Sequence, residues 1–538
     1  MPTPGRMPDT RKDVRNRLPR FLAMASAGAA ASATAERAYT NPLATPAFPP
    51  PGPDCMGPAD PCVLEYQGKH FVYPTGDGAV CKVMSSTDLI HWTGDHTVFR
   101  IRRGSPWKNG NLWAPEVERI AGRFYLYYTA GKGGLERQHI GVAESDSPLG
   151  PFKDRSIASP LIDDVSIDAE CFQDGAELYL YYVKWDGQLS TWVRRLKDPL
   201  TLDPDCPPRL CLRASQPWEA TVNEGPCVLK RDGKYYMFYS GNYAHTADYA
   251  VGVAVADHPM GPWRKQPVPL NPIFKRNDAA GLYGPGHGHH CVGPDGVSDW
   301  YLYHHKVEPG EKLKRGGLNY RRHLALDPLI PFLPKGGAHL CFRASGGSTA
   351  PAPRPSLPLE WSNFDDEAMP ASFRPTSGEW IVSDGKLWAP QQGELVIARD
   401  LGGRELQDFQ FEWWLKAARG LIEHEQSAIE FGFNVRRHGR DYRVGFRLRP
   451  APGGIEFIEC DSVTGEMTIL HSITPRPTID WGAWSRRVTV LKRGSLWRLL
   501  VDRELTLEAR CEATCLDRAC IRTRGFPAGL TGYRQTVR

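Results

Sequence analysis

Short runs of aromatic and aliphatic residues recur along the first two thirds of the chain, each with the residue types that favour β-strands. Each run follows a glycine-containing turn within a few residues; the runs are 70–73, 124–128, 178–182, 235–239 and 300–304. Aligning one aromatic from each run gives steps of 54, 54, 57 and 65 residues; the aligned residues are Phe71, Tyr125, Tyr179, Tyr236 and Tyr301. The hydrophobic pattern therefore repeats with a period a little above 50 residues.

A second element repeats in the same register. The segment 141–152, GVAESDSPLGPF, reappears at 252–263 as GVAVADHPMGPW, an offset of 111 residues that equals two steps of the aromatic repeat. A period near 50 made of short strands and turns is typical of propeller blades. The pattern predicts an all-β protein with a five-bladed β-propeller over residues 40–345.

The C-terminal third has a different pattern. A glycine-, serine- and proline-rich stretch at 346–358 is typical of a linker. Beyond it, residues 359–538 alternate apolar and polar positions in short segments, for example 409–414 and 428–433, which predicts an antiparallel β-sandwich. Three roles are open for this sandwich: carbohydrate binding, completion of the rim of the propeller pocket, or structural support.

Residues 1–39 have the composition of a leader. Six basic residues precede Phe21, an Ala-rich stretch follows, and Ala33-Thr34-Ala35 fits a signal-peptidase site, although a twin-arginine pair is missing. This predicts a secreted or periplasmic protein. The alternative is a disordered leader on a cytoplasmic protein.

Charge and apolar content narrow the class of protein. The chain of 538 residues has 66 basic and 61 acidic residues without a clustered basic stripe, which argues against a nucleic-acid partner. No uncharged stretch reaches the roughly 20 apolar residues of a membrane span, so a soluble protein is expected. The 13 cysteines lack Cys-x2-Cys spacing. Those that follow a motif inside strand-like sequence are interpreted as small buried hydrophobic residues, namely Cys62, Cys171, Cys227 and Cys291.

Acidic residues fall in register with the repeat. Asp60 and Asp168 lie 11 residues before the aligned aromatics, Glu224 lies 12 before, and His290 lies 11 before. Inner strands of a propeller begin at the rim of the central channel, so matching positions converge on the axis. The sequence predicts three carboxylates and a histidine around one pocket.

Such a pocket suits the hydrolysis of a glycosidic bond. One carboxylic acid protonates the leaving oxygen, and one carboxylate activates water or attacks the anomeric carbon. A third carboxylate nearby raises the pKa of the acid by repulsion between like charges. Aromatic rings provide flat faces for sugars, and the candidates are Trp113, Trp185, Trp218 and Tyr283.

The serial motifs resemble those of glycoside hydrolase family 43. They are Ala59-Asp60-Pro61, Trp113-Ala114-Pro115-Glu116-Val117, Ile167-Asp168-Ala169, Glu224-Gly225-Pro226, Gly286-His287 and Tyr303-His304. The resemblance covers about 55–330 and implies a five-bladed propeller with an inverting mechanism. It also implies that Asp60 is the general base, that Asp168 orients the acid and raises its pKa, and that Glu224 is the general acid.

The same resemblance implies further roles. His287 would lie near a structural calcium ion or water cluster on the axis, with no cofactor required for the reaction. Arg322 would hold the substrate, although adjacent Arg321 is an alternative, and His304 would be either a substrate contact or a hydrogen-bonded core residue. An inverting enzyme would have the Asp60 and Glu224 carboxyls about 6.5–9.5 Å apart. The C-terminal third resembles concanavalin-like and laminin-G-like sandwiches.

Several alternatives stay open at this point. A zinc site is an alternative interpretation of His287-Gly288-His289-His290. Glu116 and Glu170 lie two residues from motif positions, on the same face of a strand, and remain candidates for the acid or its modulator.

The substrate expected from the resemblance is a pentose-containing plant polysaccharide or oligosaccharide, with α-L-arabinofuranosidase or β-D-xylosidase activity. The alternatives are a glycosidase of different specificity, such as a galactosidase or endo-arabinanase, and a sugar-binding propeller without catalysis. Protein partners are left open.

Overall fold

The computed structural model describes most of the chain from residue 38 onward. The described ranges are 38–46, 58–75, 78–102, 104–296, 298–306, 311–312, 318–319, 322–344, 350–357, 360–362, 364, 368–370, 372–383, 386–389, 392–398, 408–417, 427–449, 454–475, 479, 486–502, 504–524 and 528–537. The predicted leader up to residue 37 and Arg321 lie outside them. Among the described residues, no helix has both the length and the apolar composition needed to cross a lipid bilayer.

Five antiparallel sheets of four or five strands form the blades of a β-propeller. The first three blades contain, in order, Ala59–Tyr66, Lys69–Thr75, Val80–Ser86 and Thr93–Arg100; Gly110–Ile120, Arg123–Gly131, Gln138–Ser145 and Lys153–Asp154; and Ser166–Asp174, Glu177–Trp185, Leu189–Asp198, Thr201–Leu202 and Arg209–Leu212. The last two contain Asn223–Arg231, Lys234–Gly241, Ala250–Ala256 and Arg264–Lys265; and Tyr283–Val292, Asp299–Lys306, His323–Phe332 and Cys341–Ala344. The predicted five-bladed propeller is confirmed.

Short elements join and close these blades. A hairpin pairs Glu311–Lys312 with Leu318–Asn319, and three 3-10 helices span Leu135–Arg137, Pro217–Glu219 and Asp278–Ala280. At the ring closure, the His70 Nε2 lies 2.8 Å from the Val292 carbonyl oxygen, which links the first blade to the fifth.

The aromatic runs form the second strand of each blade and are buried on both faces. Tyr127, Tyr181, Tyr239 and Tyr301 are fully buried because their rings fill the space between adjacent blades. The near-continuous apolar character of these runs, rather than strict alternation, is the sequence signal of this double burial.

The inner strand of every blade contains the same irregularity. We call the residue in this irregularity the bulge position; it has a positive φ in all five blades and is Asp60 (45°), Ala114 (37°), Asp168 (56°), Gly225 (57°) or His287 (39°). The pairing register of the inner strand with the second strand shifts at each of these positions. The repeat in the sequence is thus a repeat of backbone conformation.

The fifth blade shows one difference from the expected alignment. Its inner strand pairs Cys291 with Trp300, whereas the third blade pairs Phe172 with Tyr179, so Trp300 rather than Tyr301 matches Tyr179. The hairpin loop of the fifth blade is longer, and counting back from Tyr301 therefore selected the wrong histidine.

A two-sheet β-sandwich follows the propeller. One sheet has the order Ile381–Ser383, Lys386–Ala389, Ala528–Val537, Phe409–Ala417, Arg486–Arg493, Leu496–Val501 and Glu504–Arg510, with Glu360–Ser362 also paired to Ala528–Val537. The other has the order Phe373–Ser377, Gln392–Ala398, Thr514–Arg524, Ala428–Arg437, Arg440–Leu448, Ile455–Asp461 and Met467–Ile473. Phe411, Trp413, Phe431 and Trp497 pack between the sheets.

Part of the predicted linker is built into the fold. Ala352–Pro353 pairs with Ala38–Tyr39, and the Arg354 Nε donates to the Ala38 carbonyl at 3.0 Å. The two ends of the propeller sequence are therefore joined by a small sheet of their own.

Candidate active site

The bulge positions gather five residues around the propeller axis, and side chains from neighbouring blades hold their backbones. The backbone N–H of Ala114 donates to Thr75 Oγ1 at 2.7 Å, that of Asp168 to Thr129 Oγ1 at 3.1 Å, and that of His287 to Ser240 Oγ at 2.8 Å. The N–H of Asp60 donates to His304 Nδ1 at 3.3 Å. Each acceptor lies at the matching position of the second strand in the preceding blade.

The third blade has Val183 at this acceptor position, and valine has no polar atom to offer. The N–H of Gly225 donates instead to Asp168 Oδ2, at 3.1 Å. The exception in the repeat thus fixes the carboxylate of Asp168 beside the strand Asn223–Arg231, which contains Glu224.

Asp60 is surrounded by cationic and imidazole groups. Its Oδ1 accepts from Arg322 Nη1 at 3.0 Å and lies 3.3 Å from the Nδ1 atoms of both His287 and His304. Burial acts to raise the pKa of Asp60, but Arg322, His287 and His304 outweigh it and hold the pKa well below its usual range. Asp60 is ionised at neutral pH and suits the role of a base.

Glu224 has the opposite environment. It is 7% exposed, and its Oε1 accepts from the Tyr249 hydroxyl at 2.8 Å. Burial, with the negative charge of Asp60, raises the pKa of Glu224 to about 7 against the opposing effects of Tyr249 and Arg322. A carboxyl with this pKa can hold a proton near neutral pH and donate it.

Asp168 is under the electrostatic influence of the other two carboxylates. Burial, followed by the charges of Glu224 and Asp60, raises the pKa of Asp168 well above its usual range, although the Gly225 N–H opposes this. Asp168 Oδ2 is also 3.9 Å from His287 Nδ1. Two carboxyl groups that favour protonation and one that favours ionisation therefore share one channel.

Two histidines in contact with Asp60 favour the neutral form. Burial lowers the pKa of His287, and burial lowers the pKa of His304 to about 3, even though Asp60 opposes both shifts. His304 is fully buried and its ring stacks on Tyr249 with centroids 5.9 Å apart. It is a hydrogen-bonded residue that holds Asp60, which was one of the two roles expected for it.

The structure corrects the prediction that His290 faces the pocket. His290 Nε2 lies 2.9 Å from Asp299 Oδ1, and its ring stacks on Phe238 between blades. His287 occupies the bulge position in its place. The imidazoles of His287, His289 and His290 face different partners, namely Asp60, Glu116 and Asp299.

The residues around His287 do not provide a calcium site by themselves. Ca²⁺ takes six to eight oxygen ligands, and the carboxylates in contact with His287 are Asp60 and Asp168. Asp60 is already engaged by Arg322. Calcium is therefore given no role in the catalytic steps.

The aromatic candidates separate into two groups. Trp113 is half-buried at the residue before the bulge position, which matches the place of Glu224 in the fourth blade, and Trp185 is 59% exposed at the end of a second strand. Tyr283 begins the inner strand of the fifth blade, and the Arg276 guanidinium lies 5.7 Å from its ring centroid. Trp218 instead packs on Tyr239, with centroids 5.8 Å apart, and belongs to the core.

Sequence reasoning missed Tyr249 and Lys306. Tyr249 has no counterpart in the repeat, so only its contact with Glu224 reveals its role. Lys306 Nζ donates to the carbonyls of Ala244 and Thr246 at 2.8 and 2.7 Å, and it thereby anchors the loop that leads to Tyr249. Burial lowers the pKa of Lys306 to about 7.

Comparisons with known proteins agree with this geometry. The model of the family described as glycosyl hydrolases family 43 matches residues 57–330. The chain is 26% identical over 307 residues to an extracellular exo-alpha-(1->5)-L-arabinofuranosidase of Streptomyces avermitilis, which covers 53% of this chain and 60% of that relative. It is 29% identical over 304 residues to a xylosidase/arabinosidase of Bacteroides ovatus, covering 47% of this chain and 87% of the relative.

A solved structure is similar as well. The crystal structure of a thermostable family-43 glycoside hydrolase aligns with a TM-score of 0.50 at 32% identity, covering 59% of this chain and 99% of that one. The match to the Streptomyces relative spans less than two thirds of that protein.

Proposed function

The chain belongs to glycosyl hydrolases family 43, and on this premise we propose that it is an inverting glycosidase that releases pentoses, as an α-L-arabinofuranosidase or β-D-xylosidase, from plant polysaccharides or oligosaccharides. The observation that carries the proposal is the contrast between Asp60, whose pKa is held low, and Glu224, whose pKa is raised to about 7, around one channel. The names of the Streptomyces and Bacteroides relatives support pentosides as substrates.

The mechanism assigns one step to each carboxyl group. Glu224 donates its proton to the glycosidic oxygen as the bond to the anomeric carbon breaks. Asp60 takes a proton from a water molecule, whose oxygen attacks the anomeric carbon from the opposite face and inverts its configuration. Asp168 orients the acid, and its Oδ2 is held by the N–H of Gly225, the residue that follows Glu224.

The remaining residues position these groups or the sugar. Arg322 keeps Asp60 ionised, and His304 Nδ1 holds the backbone of Asp60 by accepting its N–H. Trp113, Trp185 and Tyr283 offer ring faces near the start of the inner and the end of the second strands, where a sugar would enter. We propose no cofactor for the reaction.

The first experiment compares wild type with Glu224→Gln on aryl pentosides of different leaving-group pKa. Loss of the acid should reduce kcat/KM by about 10²–10⁴-fold on poor leaving groups and much less on activated aryl glycosides, because these need little protonation. Val228→Ala, in the same strand, is the control and should leave the dependence on leaving group unchanged. An equal loss on both classes would contradict the role of Glu224.

A product analysis tests the other parts of the proposal. Proton NMR of the first product should show the inverted anomer, and a panel of arabinofuranosides, xylosides and galactosides should show highest turnover on a pentoside. Binding without turnover on the whole panel would favour the alternative of a sugar-binding propeller.

We also propose that the protein is exported, which the composition of residues 1–39 and the extracellular arabinofuranosidase relative support. Expression in a secreting host should yield protein in the periplasm or medium that begins after Ala35. Full-length protein confined to the cytoplasm would contradict export.

A further inference from the structure

A second ring of side chains surrounds the propeller axis two residues beyond the bulge positions. We call it the axial ring; its members, one from each blade, are Cys62, Glu116, Glu170, Cys227 and His289. Cys62, Glu116, Glu170 and His289 line the same axial cavity as Asp60, Asp168 and His287. All of its cysteine and glutamate members are less than 5% exposed. Neither the proposed base nor the proposed acid belongs to this ring.

The donor atoms of the axial ring converge. The ligand atoms of Cys62, Glu116 and His289 all lie within 4.8 Å of one another, and so do those of Glu170, Cys227 and His289. Two ligands of one tetrahedral zinc ion are about 3.3–3.8 Å apart, given Zn–S and Zn–N distances of about 2.3 and 2.0 Å. Small side-chain adjustments would bring either set onto a common ion, with His289 shared by both.

His289 is oriented as a metal ligand is. Its Nδ1 lies 2.8 Å from the His290 carbonyl oxygen, so Nδ1 carries the proton and donates it. His289 Nε2 lies 3.7 Å from both Glu116 Oε2 and Glu170 Oε2, which is longer than a hydrogen bond. A backbone carbonyl that fixes the tautomer of an imidazole is the usual second contact of a metal-bound histidine.

The two sulfur atoms accept backbone hydrogen bonds. The Val117 N–H donates to Cys62 Sγ at 3.2 Å, and the His290 N–H donates to Cys227 Sγ at 3.3 Å. These hydrogen bonds fix the positions of both sulfur atoms close to His289.

We propose that the axial ring binds one divalent transition-metal ion, zinc being the best match, through His289 Nε2 together with carboxylate and thiolate ligands from neighbouring blades. Sulfur and imidazole donors favour zinc and disfavour calcium or magnesium, which take oxygen ligands. Binding releases the thiol proton to solvent. The ion ties several blades together at the axis and stabilises the closed ring.

The full-length protein is stripped with a chelator, reloaded with Zn²⁺ and passed through gel filtration before its metal content is measured. Wild type should retain about one equivalent of zinc, and its thermal midpoint should rise on reloading. Cys62→Ala/Cys227→Ala should retain at least about tenfold less zinc and show no rise. The matched control is Cys81→Ala, which removes a fully buried thiol of the first blade outside the ring; it should behave as wild type.

Cobalt loading provides a spectroscopic signature, because Co²⁺ bound to thiolate has a sulfur-to-metal charge-transfer band in the near ultraviolet. Folded wild type that retains under about one tenth of an equivalent, or that lacks this band, would overturn the proposal. Equal zinc in wild type and the double variant would overturn it too. If the double variant does not fold, His289→Gln replaces it in the comparison. Because the readouts are metal content, absorption and thermal midpoint, they are independent of whether the protein hydrolyses glycosides.

Discussion

Tyr249 lowers the proton affinity of Glu224 through a single contact. A hydroxyl that donates to a carboxylate stabilises the ionised form, so Tyr249 lowers a pKa that burial raises. Catalysis by a general acid needs the protonated form, and activity is lost as pH rises through the pKa of Glu224.

Tyr249→Phe should therefore move the basic limb of the kcat/KM profile to higher pH, because Glu224 then keeps its proton longer. The profile on an aryl pentoside measures this. Tyr239→Phe is the control, since the Tyr239 hydroxyl contacts Glu219 and not the catalytic carboxyls. If the basic limb of Tyr249→Phe lies at the same pH as that of wild type, the Tyr249 hydroxyl does not affect the pKa of Glu224.

Arg322 acts on both catalytic carboxyls. It lowers the pKa of Asp60 and of Glu224, so Arg322→Ala should raise both values. Activity needs the ionised form of Asp60 and is lost as pH falls through the pKa of Asp60. Because both pKa values rise in the variant, the acidic and the basic limb of its kcat/KM profile should both move to higher pH. Arg231→Ala breaks the ion pair with Asp299 elsewhere in the propeller and should move neither limb. A shift in opposite directions would contradict this assignment.

At the scale of the strand, the repeated bulge is what presents catalytic groups to the axis. At each bulge, the backbone N–H of the inner strand needs a hydrogen-bond acceptor. For Asp60, Ala114, Asp168 and His287, the acceptor is a side-chain oxygen or nitrogen atom of the preceding blade. Val183 has no such atom, and the Gly225 N–H therefore donates to Asp168 Oδ2.

Val183→Thr should weaken this contact, because its hydroxyl would compete for the Gly225 N–H as Thr75 and Thr129 do for theirs. A competing hydrogen bond worth about 1 kcal/mol corresponds to a loss of roughly fivefold in kcat/KM, with an altered basic limb. Val183→Ala introduces no acceptor and is the control. Identical pH profiles for the two variants would argue against competition for this N–H.

Gly286 is required where the inner strand of the fifth blade passes Tyr249. A Cβ at Gly286 would lie 2.1 Å from the Tyr249 ring. Gly286→Ala should therefore lower the free energy of unfolding by about 1–3 kcal/mol and displace Tyr249 from Glu224. At Gly110, in the second blade, a Cβ would meet its nearest atom at 3.9 Å, so Gly110→Ala is the matched control. Denaturant unfolding measures both, and equal stabilities would contradict the close packing.

At the scale of the whole molecule, a buried arginine joins the sandwich to the propeller. Arg487 forms an ion pair with Glu412 in its own sheet, and its Nη1 donates to Glu65 Oε2 at 2.8 Å in the inner strand of the first blade. Gln410 Nε2 donates to the Gly296 carbonyl at 3.0 Å in a hairpin loop of the fifth blade. Glu65 and Gly296 lie at the ends of the blades away from the bulge positions. These contacts favour structural support over completion of the pocket rim.

Arg487→Ala removes a cation shared by two buried carboxylates and should cost about 3–5 kcal/mol. Calorimetry should show a single unfolding transition for wild type and separate transitions of the sandwich and the propeller for this variant. Arg498→Ala removes an exposed ion pair with Glu508 and serves as the control. Unchanged coupling in Arg487→Ala would show that other contacts hold the two parts together.

The amino-acid sequence alone determined the five-bladed fold and the alignment of Asp60, Asp168 and the start of the fourth inner strand. The physical reason is local: a blade is a short antiparallel unit, so its strands and turns recur in the chain at nearly constant spacing. Counting back from the aligned aromatic residue selected His290 wrongly, because the hairpin loop of the fifth blade is longer. This loop changes the spacing in the sequence without changing the pairing of the strands.

Only the tertiary structure decided which groups touch across blades. The contact of Tyr249 with Glu224, the position of Arg322 on Asp60 and the convergence of the axial ring depend on distances between segments far apart in the chain, and residue type does not encode these distances. The pKa values of Asp60 and Glu224 differ for the same reason: both are buried carboxyls, and their neighbours in space, rather than in sequence, decide which one keeps a proton.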